Sequence, residues 1–270
     1  MERKAQEGVS AVGGGSLGPA RHGAPTAVGM IYPEDCGRGW GGRLMQVSIV
    51  VPALNEERTI RQVLEAVLAT HYEKEIIVVD DGSTDATPAI LEEFRAQHGV
   101  VVLRHPNRRG KGAALRTAFA AAHGDVIIIQ DADGEYHPED YLHVLRPIQK
   151  GWADAVYGCR FDGARRVFLL SHRIGNWLVN AVANILYDTT LTDLETGLKA
   201  FRREVLSHFQ LRSHDFRIEV ELTAKLFRHH FRVYEVPVSY SGRSYAEGKK
   251  LTWKDGVLAL WALLVFRVTD

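Results

Sequence analysis

The chain has 270 residues, 46% of them hydrophobic, so it can bury one sizeable core with at most a small appendage. Lysine and arginine together number 33, as do aspartate and glutamate, and this balance does not favour a dedicated nucleic-acid binder. The two cysteines, Cys36 and Cys159, lack metal-ligand spacing, as is typical of free thiols in a reducing compartment. We therefore expect one main domain in the cytoplasm, with no nucleic-acid partner.

Residues 1–44 are rich in Gly, Pro, Ala and Arg and show no apolar period, which predicts a disordered tail. Met45 stands immediately before the first apolar run. The tail is therefore either a genuine flexible extension or the product of a start codon assigned too early, and composition does not distinguish the two. We place the main domain at residues 45–250 and a C-terminal helix at 251–270.

From Val47 onward, short apolar runs alternate with helical patterns, which indicates βαβ units. We predict strands at residues 47–51, 75–79, 100–103, 126–129, 155–158 and 233–240. We predict helices near residues 60–68, 87–94, 113–123, 139–145, 174–187 and 253–268, with Thr87 as the N-cap of the second and Pro147 ending the fourth. The predicted fold is α/β, with a Rossmann-like, mostly parallel sheet flanked by helices and a C-terminal apolar helix.

Acidic residues follow the apolar strand at 126–129. Asp131, Asp133 and Glu135 would lie outside the carboxyl end of that strand, which is where open parallel sheets bind ligands. Their carboxylates are hard oxygen ligands suited to Mg²⁺ or Mn²⁺. Asp-rich turns are also common as solvated surface, but the strand-end position favours a metal site.

Two other strands end in polar clusters, at residues 52–56 and 79–85. A glycine turn flanked by acids can hold a base and ribose through hydrogen bonds. An Asx turn with a helix N-cap explains Ser83, Thr84 and Asp85 equally well. The convergence of three polar strand ends nevertheless predicts a single site at one edge of the sheet.

The motifs VPALNEE, VVDDGSTD, GKGA and QDAD stand in the order and spacing of family 2 glycosyltransferases, and the chain after Met45 resembles that family. The resemblance implies a GT-A fold and transfer of a hexose, with inversion, from a donor of the GDP-mannose or UDP-glucose type. The later motifs GCR, DLETG and EVP and residues 243–249 resemble polyprenyl-phosphate sugar transferases, such as dolichol-phosphate mannosyltransferase. This implies a polyprenyl phosphate acceptor and a role in cell-envelope glycan synthesis.

The resemblance also assigns roles by position. The residues that match the nucleoside and diphosphate positions are Pro52, Leu54, Glu56, Val79, Asp81, Lys111, Asp131 and Ala132. The residues that match catalytic or phosphate-holding positions are Asp133, Arg160, Arg173, Arg243 and Lys249. Leu54 replaces a tyrosine often found there, which leaves guanine and uracil both open as the base. Glu135 replaces a more usual Gln or Ser but remains an oxygen ligand.

The chemistry of the acceptor decides whether a base is needed. Breaking the bond between sugar and diphosphate builds negative charge on the leaving group, which a divalent ion and cations must neutralise. A lipid phosphate is already ionised near neutral pH, whereas a hydroxyl acceptor needs a base, for which Asp193 or Glu195 is the best candidate. A third interpretation is an inactive, membrane-associated module that binds nucleotide sugars, although the intact Asp131 and Asp133 speak against it.

The C-terminal apolar run, residues 257–266, is well short of the roughly 20 residues that span a bilayer. It is either a core helix or an interfacial helix that holds the enzyme at the inner face of the membrane. Two other classes are excluded. His105 and Gly112 break the P-loop pattern, and the first strand ends in Pro52 rather than in a dinucleotide-binding glycine turn.

A chain that begins at Met45 should match the full chain in both melting temperature and turnover, because the removed segment lacks the apolar content that offsets ordering entropy. Thermal unfolding and a transfer assay on the two proteins test this. A clear loss in either quantity would show that residues 1–44 are structural.

Overall fold

The computed structural model describes residues 44–167, 170–243 and 253–269. The strands in these ranges are β1 Val47–Ala53, β2 Lys74–Asp80, β3 Val101–Arg104, β4 Val126–Ile129, β5 Ala155–Cys159, β6 Lys199–Arg202 and β7 Val233–Pro237. The α-helices are α1 Ile60–Ala69, α2 Thr87–His98, α3 Lys111–Ala121, α4 Tyr141–Gln149, α5 Leu170–Tyr187, α6 Arg217–Arg228 and α7 Trp253–Val268. The predictions for residues 1–43 and for the polar loop at 244–250, including Lys249, lie outside the described residues.

The strands form one sheet in the order β3-β2-β1-β4-β6-β5-β7. β6 is antiparallel to both of its neighbours, and all other pairs are parallel. The prediction of an α/β fold with a mostly parallel sheet is confirmed. The carboxyl ends of six strands and the beginning of β6 therefore share one edge of the sheet, which we call the carboxyl edge.

Helices cover both faces of the sheet, because alternate side chains of a buried strand point to opposite sides. In β4, Ile128 packs with the core under α1, α2 and α4, whereas Ile127 and Ile129 pack with the core under α3, α5, α6 and α7. β4 is buried on both faces, which explains why its sequence is an unbroken apolar run.

The sequence analysis missed β6 and α6. β6 has only four residues and begins at Lys199, a charged side chain that is fully buried. α6 buries Glu219, Glu221 and Lys225, so the apolar period that marks a helix is interrupted on its inner face. Local pattern fails in both elements because charged side chains occupy core positions.

Several predicted boundaries are also wrong. α5 begins at Leu170 rather than at residue 174, and β7 ends at Pro237 rather than at residue 240. α4 continues through the buried Pro147 to Gln149. The proline lies in the last turn, where its missing N–H costs one intrahelical hydrogen bond. Its carbonyl accepts the N–H groups of Trp152 and Ala153, which follow the helix. Thr87 is the first residue of α2 rather than its N-cap, and its hydroxyl accepts the N–H of Glu56 at 2.9 Å.

The last helix, α7, packs against α5 and α6 through Ala259, Ala262 and Leu263. Tyr187 at the end of α5 donates its hydroxyl to the carbonyl of Leu263 at 2.9 Å. In the described part of the chain, no helix has both the length and the apolar character needed to cross a bilayer.

Candidate active site

The ends of β1 and β2 are joined by side chain to backbone hydrogen bonds. Asn55 has a φ of 52°, in the left-handed region that asparagine tolerates better than most residues. Its N–H donates to the Ser83 hydroxyl at 2.9 Å, and its own side-chain oxygen accepts the N–H of Thr84 at 2.8 Å. Pro52 and Val79, both predicted to contact the nucleoside, face each other in the β1–β2 register. Of the turn interpretation of residues 83–85, the Asx turn is present, because Asp85 Oδ1 accepts the N–H of Thr87 at 3.0 Å, but the N-cap of α2 is Ala86.

Asp81 fixes the loop that leads into α3. Its carboxylate accepts the backbone N–H groups of Arg109 and Gly110, at 2.9 and 2.7 Å, and it lies 2.7 Å from His105 Nδ1. Gly110 has a φ of 98°, and a Cβ there would lie 2.3 Å from the carbonyl oxygen of His214, so only glycine fits. Asp81 thereby places Lys111, the first residue of α3.

Lys111 links α3 to the first aspartate after β4. Its ammonium lies 2.7 Å from Asp131 Oδ1 and 3.0 Å from Glu219 Oε1. Burial disfavours the charge of Lys111, but the neighbouring carboxylates of Asp131 and Glu219 outweigh burial and raise its pKa. Gly197, which precedes β6, lets the backbone pass close to the Asp131 carboxylate, because a Cβ at position 197 would lie 2.0 Å from Asp131 Oδ2.

Arg243 binds a second set of carboxylates. Its guanidinium lies 3.0 Å from Asp133 Oδ2 and 3.2 Å from Glu56 Oε2. Its backbone N–H donates to Glu135 Oε1 at 2.6 Å, and the Tyr240 hydroxyl donates to Glu135 Oε2 at 2.5 Å. Glu56, predicted to hold the nucleoside, is thus grouped with the predicted metal ligands.

The carboxylates are crowded enough to repel one another. Burial, followed by the charges of Asp131 and Glu135, raises the pKa of Asp133 to about 7. In residues 44–167, 170–243 and 253–269, no three His, Cys, Asp or Glu side chains are already arranged around a single metal position. The carboxylates are instead held by Lys111 and Arg243. Their oxygen chemistry and excess negative charge fit a divalent ion that would replace part of these contacts.

Arg160 is anchored by Asp193. Its guanidinium makes two hydrogen bonds to the Asp193 carboxylate, at 2.6 and 2.8 Å, and its backbone N–H makes a third at 2.9 Å. Asp193 is fully buried. Arg160 occupies both carboxylate oxygens of Asp193. Asp193 is therefore better suited to orienting Arg160 than to the predicted role of a base that deprotonates a hydroxyl.

Arg173 lies near this pair. Its guanidinium stacks 4.2 Å from the Phe161 ring centroid, and the Arg160 guanidinium lies 5.7 Å from the same ring. The side chain of Arg173 is exposed. Two of the predicted phosphate-holding arginines therefore flank one aromatic ring.

The remaining predicted residues surround the same edge. Leu54 is half-buried, and Ala132 is buried with its carbonyl accepting the Thr59 hydroxyl at 2.8 Å. Sequence analysis missed Lys199, Glu219 and Tyr240 as members of the site. A buried lysine or glutamate carries no local sequence signal, because its burial depends on a partner elsewhere in the chain.

Replacing Gly197 by alanine should force the Asp131 carboxylate away from Lys111, since the new methyl group would occupy the position of Oδ2. We expect a loss of about 1–3 kcal/mol of unfolding free energy, as for an overpacked core, together with weaker Mn²⁺ binding. Thermal unfolding and Mn²⁺ titration measure the two effects.

The matched control is Gly175→Ala in α5, where a Cβ meets nothing within 4 Å. It should leave the protein as stable as before or slightly more stable. If Gly197→Ala behaves like this control in both measurements, the close approach to Asp131 does not matter.

Comparison with known proteins identifies the family. Residues 48–209 match the model of glycosyl transferase family 2. An uncharacterized protein of Methanocaldococcus jannaschii is 31% identical over 230 residues, which are 83% of this chain and 93% of the relative. The UDP-N-acetylglucosamine–dolichyl-phosphate N-acetylglucosaminyltransferase of Methanococcus voltae is 26% identical and covers 82% of this chain and 96% of its own. Polyprenol monophosphomannose synthase of Mycolicibacterium smegmatis is 28% identical, over 74% of this chain and 79% of its own.

A solved structure shares the fold. Glucosyl-3-phosphoglycerate synthase from Mycobacterium tuberculosis, in complex with Mn²⁺, uridine diphosphate and phosphoglyceric acid, superimposes with a TM-score of 0.65. The match covers 84% of this chain and 80% of that one at 23% identity, so it establishes the GT-A architecture alone. With the family model covering more than half of the chain, the protein belongs to glycosyl transferase family 2 and is a glycosyltransferase.

Proposed function

We propose that the protein transfers a hexose from a nucleoside diphosphate sugar, bound with Mg²⁺ or Mn²⁺, to a polyprenyl phosphate at the inner face of the membrane. The observation that carries the proposal is the position of Arg243, which reaches from the segment after β7 into the carboxylates that follow β1 and β4. A cation on the predicted acceptor side therefore meets the predicted donor site.

The carboxyl edge of the sheet supports the donor half of the proposal. Asp131, Asp133 and Glu135 would hold the metal, which when bound neutralises charge on the diphosphate leaving group. The Lys111 ammonium lies 2.7 Å from Asp131 Oδ1 and can contact the same phosphates. Pro52 and Val79 lie on the adjacent strands β1 and β2, where a nucleoside would extend away from the metal.

A phosphate acceptor makes the reaction a direct displacement. An oxygen of the lipid phosphate forms a bond to the anomeric carbon of the sugar, and the bond from that carbon to the nucleoside diphosphate breaks. No proton has to be removed from the phosphate near neutral pH. Arg160 and Arg243 reduce the repulsion between the two anions, and they are held rigidly by Asp193 and by Asp133 and Glu56.

The surface beside Arg160 has the mixed character that a prenyl phosphate requires. Arg160 Nη2 lies 3.4 Å from Asn176 Oδ1 on α5. An open cleft nearby is lined by two arginines and two exposed aliphatic residues, namely Arg165, Arg173, Val167 and Leu170. Arginines bind phosphate oxygens, and the aliphatic side chains can contact the first prenyl units.

Helices α5 and α7 supply an apolar surface next to this cleft. Each helix has one exposed apolar face, and the two helices pack against each other. The exposed residues are Leu170, Ile174, Trp177, Leu178 and Ile185 on α5, and Val257, Leu258, Trp261, Leu264 and Val268 on α7. Tryptophan beside aliphatic residues and arginine is typical of a helix lying in a membrane interface.

A hydroxyl acceptor is the second candidate, and Glu195 is the observation that favours it. Burial raises the pKa of Glu195, and within the described ranges its carboxylate makes no hydrogen bond. A raised pKa strengthens a carboxylate as a base. If Glu195 is the base, transfer should be lost as the pH falls through its raised pKa, because the carboxylate must be deprotonated to act.

The proposed acceptor is tested by assaying UDP- and GDP-sugars with Mn²⁺ or Mg²⁺ against a short-chain prenyl phosphate and the corresponding prenyl alcohol, with mass spectrometric detection. We expect product from the phosphate alone, and none in excess chelator. Asp133→Asn should lower turnover at least about 100-fold while the melting temperature changes little, because it removes charge but not volume.

Four outcomes would reject parts of the proposal. Transfer to the prenyl alcohol as fast as to the prenyl phosphate would reject the lipid phosphate as acceptor. Failure to use any prenyl phosphate with any of the donors would reject it as well. Full activity in chelator or in the Asp133→Asn protein would reject the metal role.

Membrane docking is tested with Trp177 and Trp261, which are 66% and 54% exposed. The double substitution Trp177→Ser/Trp261→Ser should weaken binding to phosphatidylglycerol vesicles about tenfold or more, because two interfacial anchors are lost. Turnover with a water-soluble prenyl phosphate should be unchanged. Trp152→Ser is the matched control, since Trp152 is 52% exposed but follows α4. Equal vesicle binding by the wild type, the double variant and Trp152→Ser would contradict the proposal that this surface docks on the membrane.

A further inference from the structure

Four side chains form a line of alternating charge behind the donor site. Asp131 Oδ1 lies 2.7 Å from the Lys111 ammonium, which lies 3.0 Å from Glu219 Oε1, and Glu219 Oε2 lies 2.5 Å from the Lys199 ammonium. Lys199 is fully buried, Glu219 is nearly so, and Asp131 and Lys111 are partly exposed at the carboxyl edge. The line therefore runs from the core to the site.

Such an arrangement needs a reason, because burying ions is costly even when they are paired. Lys199 also donates to the carbonyl of Thr196, and its ammonium lies 4.7 Å from the Tyr157 ring centroid. Burial lowers the pKa of Lys199 and, taken alone, would raise that of Glu219, but the two lysines outweigh burial and keep the Glu219 carboxylate ionised. The four charges sum to zero, so the line is electrically balanced.

Helix α6 carries two buried glutamates with different partners. Glu221 accepts the backbone N–H groups of Arg212 and Ser213 and pairs with Lys225 at 3.2 Å. It thus holds the loop before α6. Glu219 instead pairs with two lysines, one of which belongs to the donor site. The contacts of Glu219 therefore suit it to holding the Lys111 ammonium in place.

We propose that Glu219 is a positioning residue for Lys111. Glu219 holds the Lys111 ammonium at the donor site and shares the charge of that ammonium with Asp131, so that Lys111 can turn to an entering diphosphate. The inference rests on the proposed donor. On binding of the diphosphate, Lys111 would keep its contact with Glu219 and exchange Asp131 for a phosphate oxygen, which would leave the Asp131 carboxylate free to hold the metal.

The role of Lys199 follows from the same geometry. It supplies the positive charge that keeps Glu219 ionised in the core, and it is fully buried. Without Glu219, Lys111 would form an isolated ion pair with Asp131, and each would be less available to the donor. Without both Lys199 and Glu219, the core loses one charge of each sign, and the fold is not left with an unpaired ion.

The test compares the wild-type protein with Glu219→Gln, Lys199→Met and the double variant Glu219→Gln/Lys199→Met. Calorimetry measures the affinity for the Mn²⁺ complexes of UDP and GDP, and for those of UMP and GMP. We expect the double variant to melt close to the wild type but to bind the diphosphate about tenfold or more weakly. Its affinity for the monophosphate should change by less than about threefold, because the inference places Lys111 at the phosphate that the monophosphate lacks.

A second comparison separates positioning from packing. If Glu219 acts through Lys111, then Glu219→Gln should have no further effect on diphosphate affinity in a Lys111→Met protein. Wild-type diphosphate affinity in the double variant would overturn the inference, because Glu219 would then serve only to neutralise Lys199. Equal losses for monophosphate and diphosphate, or additive losses with Lys111→Met, would overturn it as well. A wild-type protein that binds neither UDP nor GDP with Mn²⁺ would instead refute the proposed donor.

Discussion

Electrostatic repulsion among the carboxylates at the carboxyl edge of the sheet is the constraint on which the rest of the site depends. Asp131 and Asp133 follow one strand, and Glu56 approaches from the next. Left alone, these groups would separate or bind protons. Lys111 and Arg243 hold them in place, and the carboxylates of Glu56, Asp131, Asp133 and Glu135 outnumber these two cations.

The two cations come from distant parts of the chain, and each is positioned by an acid. Asp81 ties down the loop that begins α3 and so places Lys111. Glu135 binds the backbone of Arg243 and the hydroxyl of Tyr240, and so draws the segment after β7 over the end of β4. The middle and last thirds of the chain are joined at the point where we propose that donor and acceptor meet.

Buried ion pairs are used in this protein to aim side chains. Asp193 fixes the plane of the Arg160 guanidinium, and Glu219 fixes the position of Lys111. Paired ions in a core add little net stability, but they restrict a flexible cation to one direction. A family 2 transferase benefits from this, because charge develops on the leaving diphosphate and prearranged cations need not reorganise.

The sequence by itself determined the family and the mostly parallel sheet, and it predicted a site at the carboxyl edge of that sheet. These were readable because unbroken apolar runs mark buried strands, and because polar residues directly after such strands must gather at one edge. Only the tertiary structure decided the antiparallel β6, the helix α6 and the pairing of Lys199 with Glu219. A charged residue in a core is stabilised by a partner far away in the chain, and no local pattern reveals that partner. The same reason explains Asp193, whose carboxylate reads as a possible base in the sequence and in the fold is committed to Arg160.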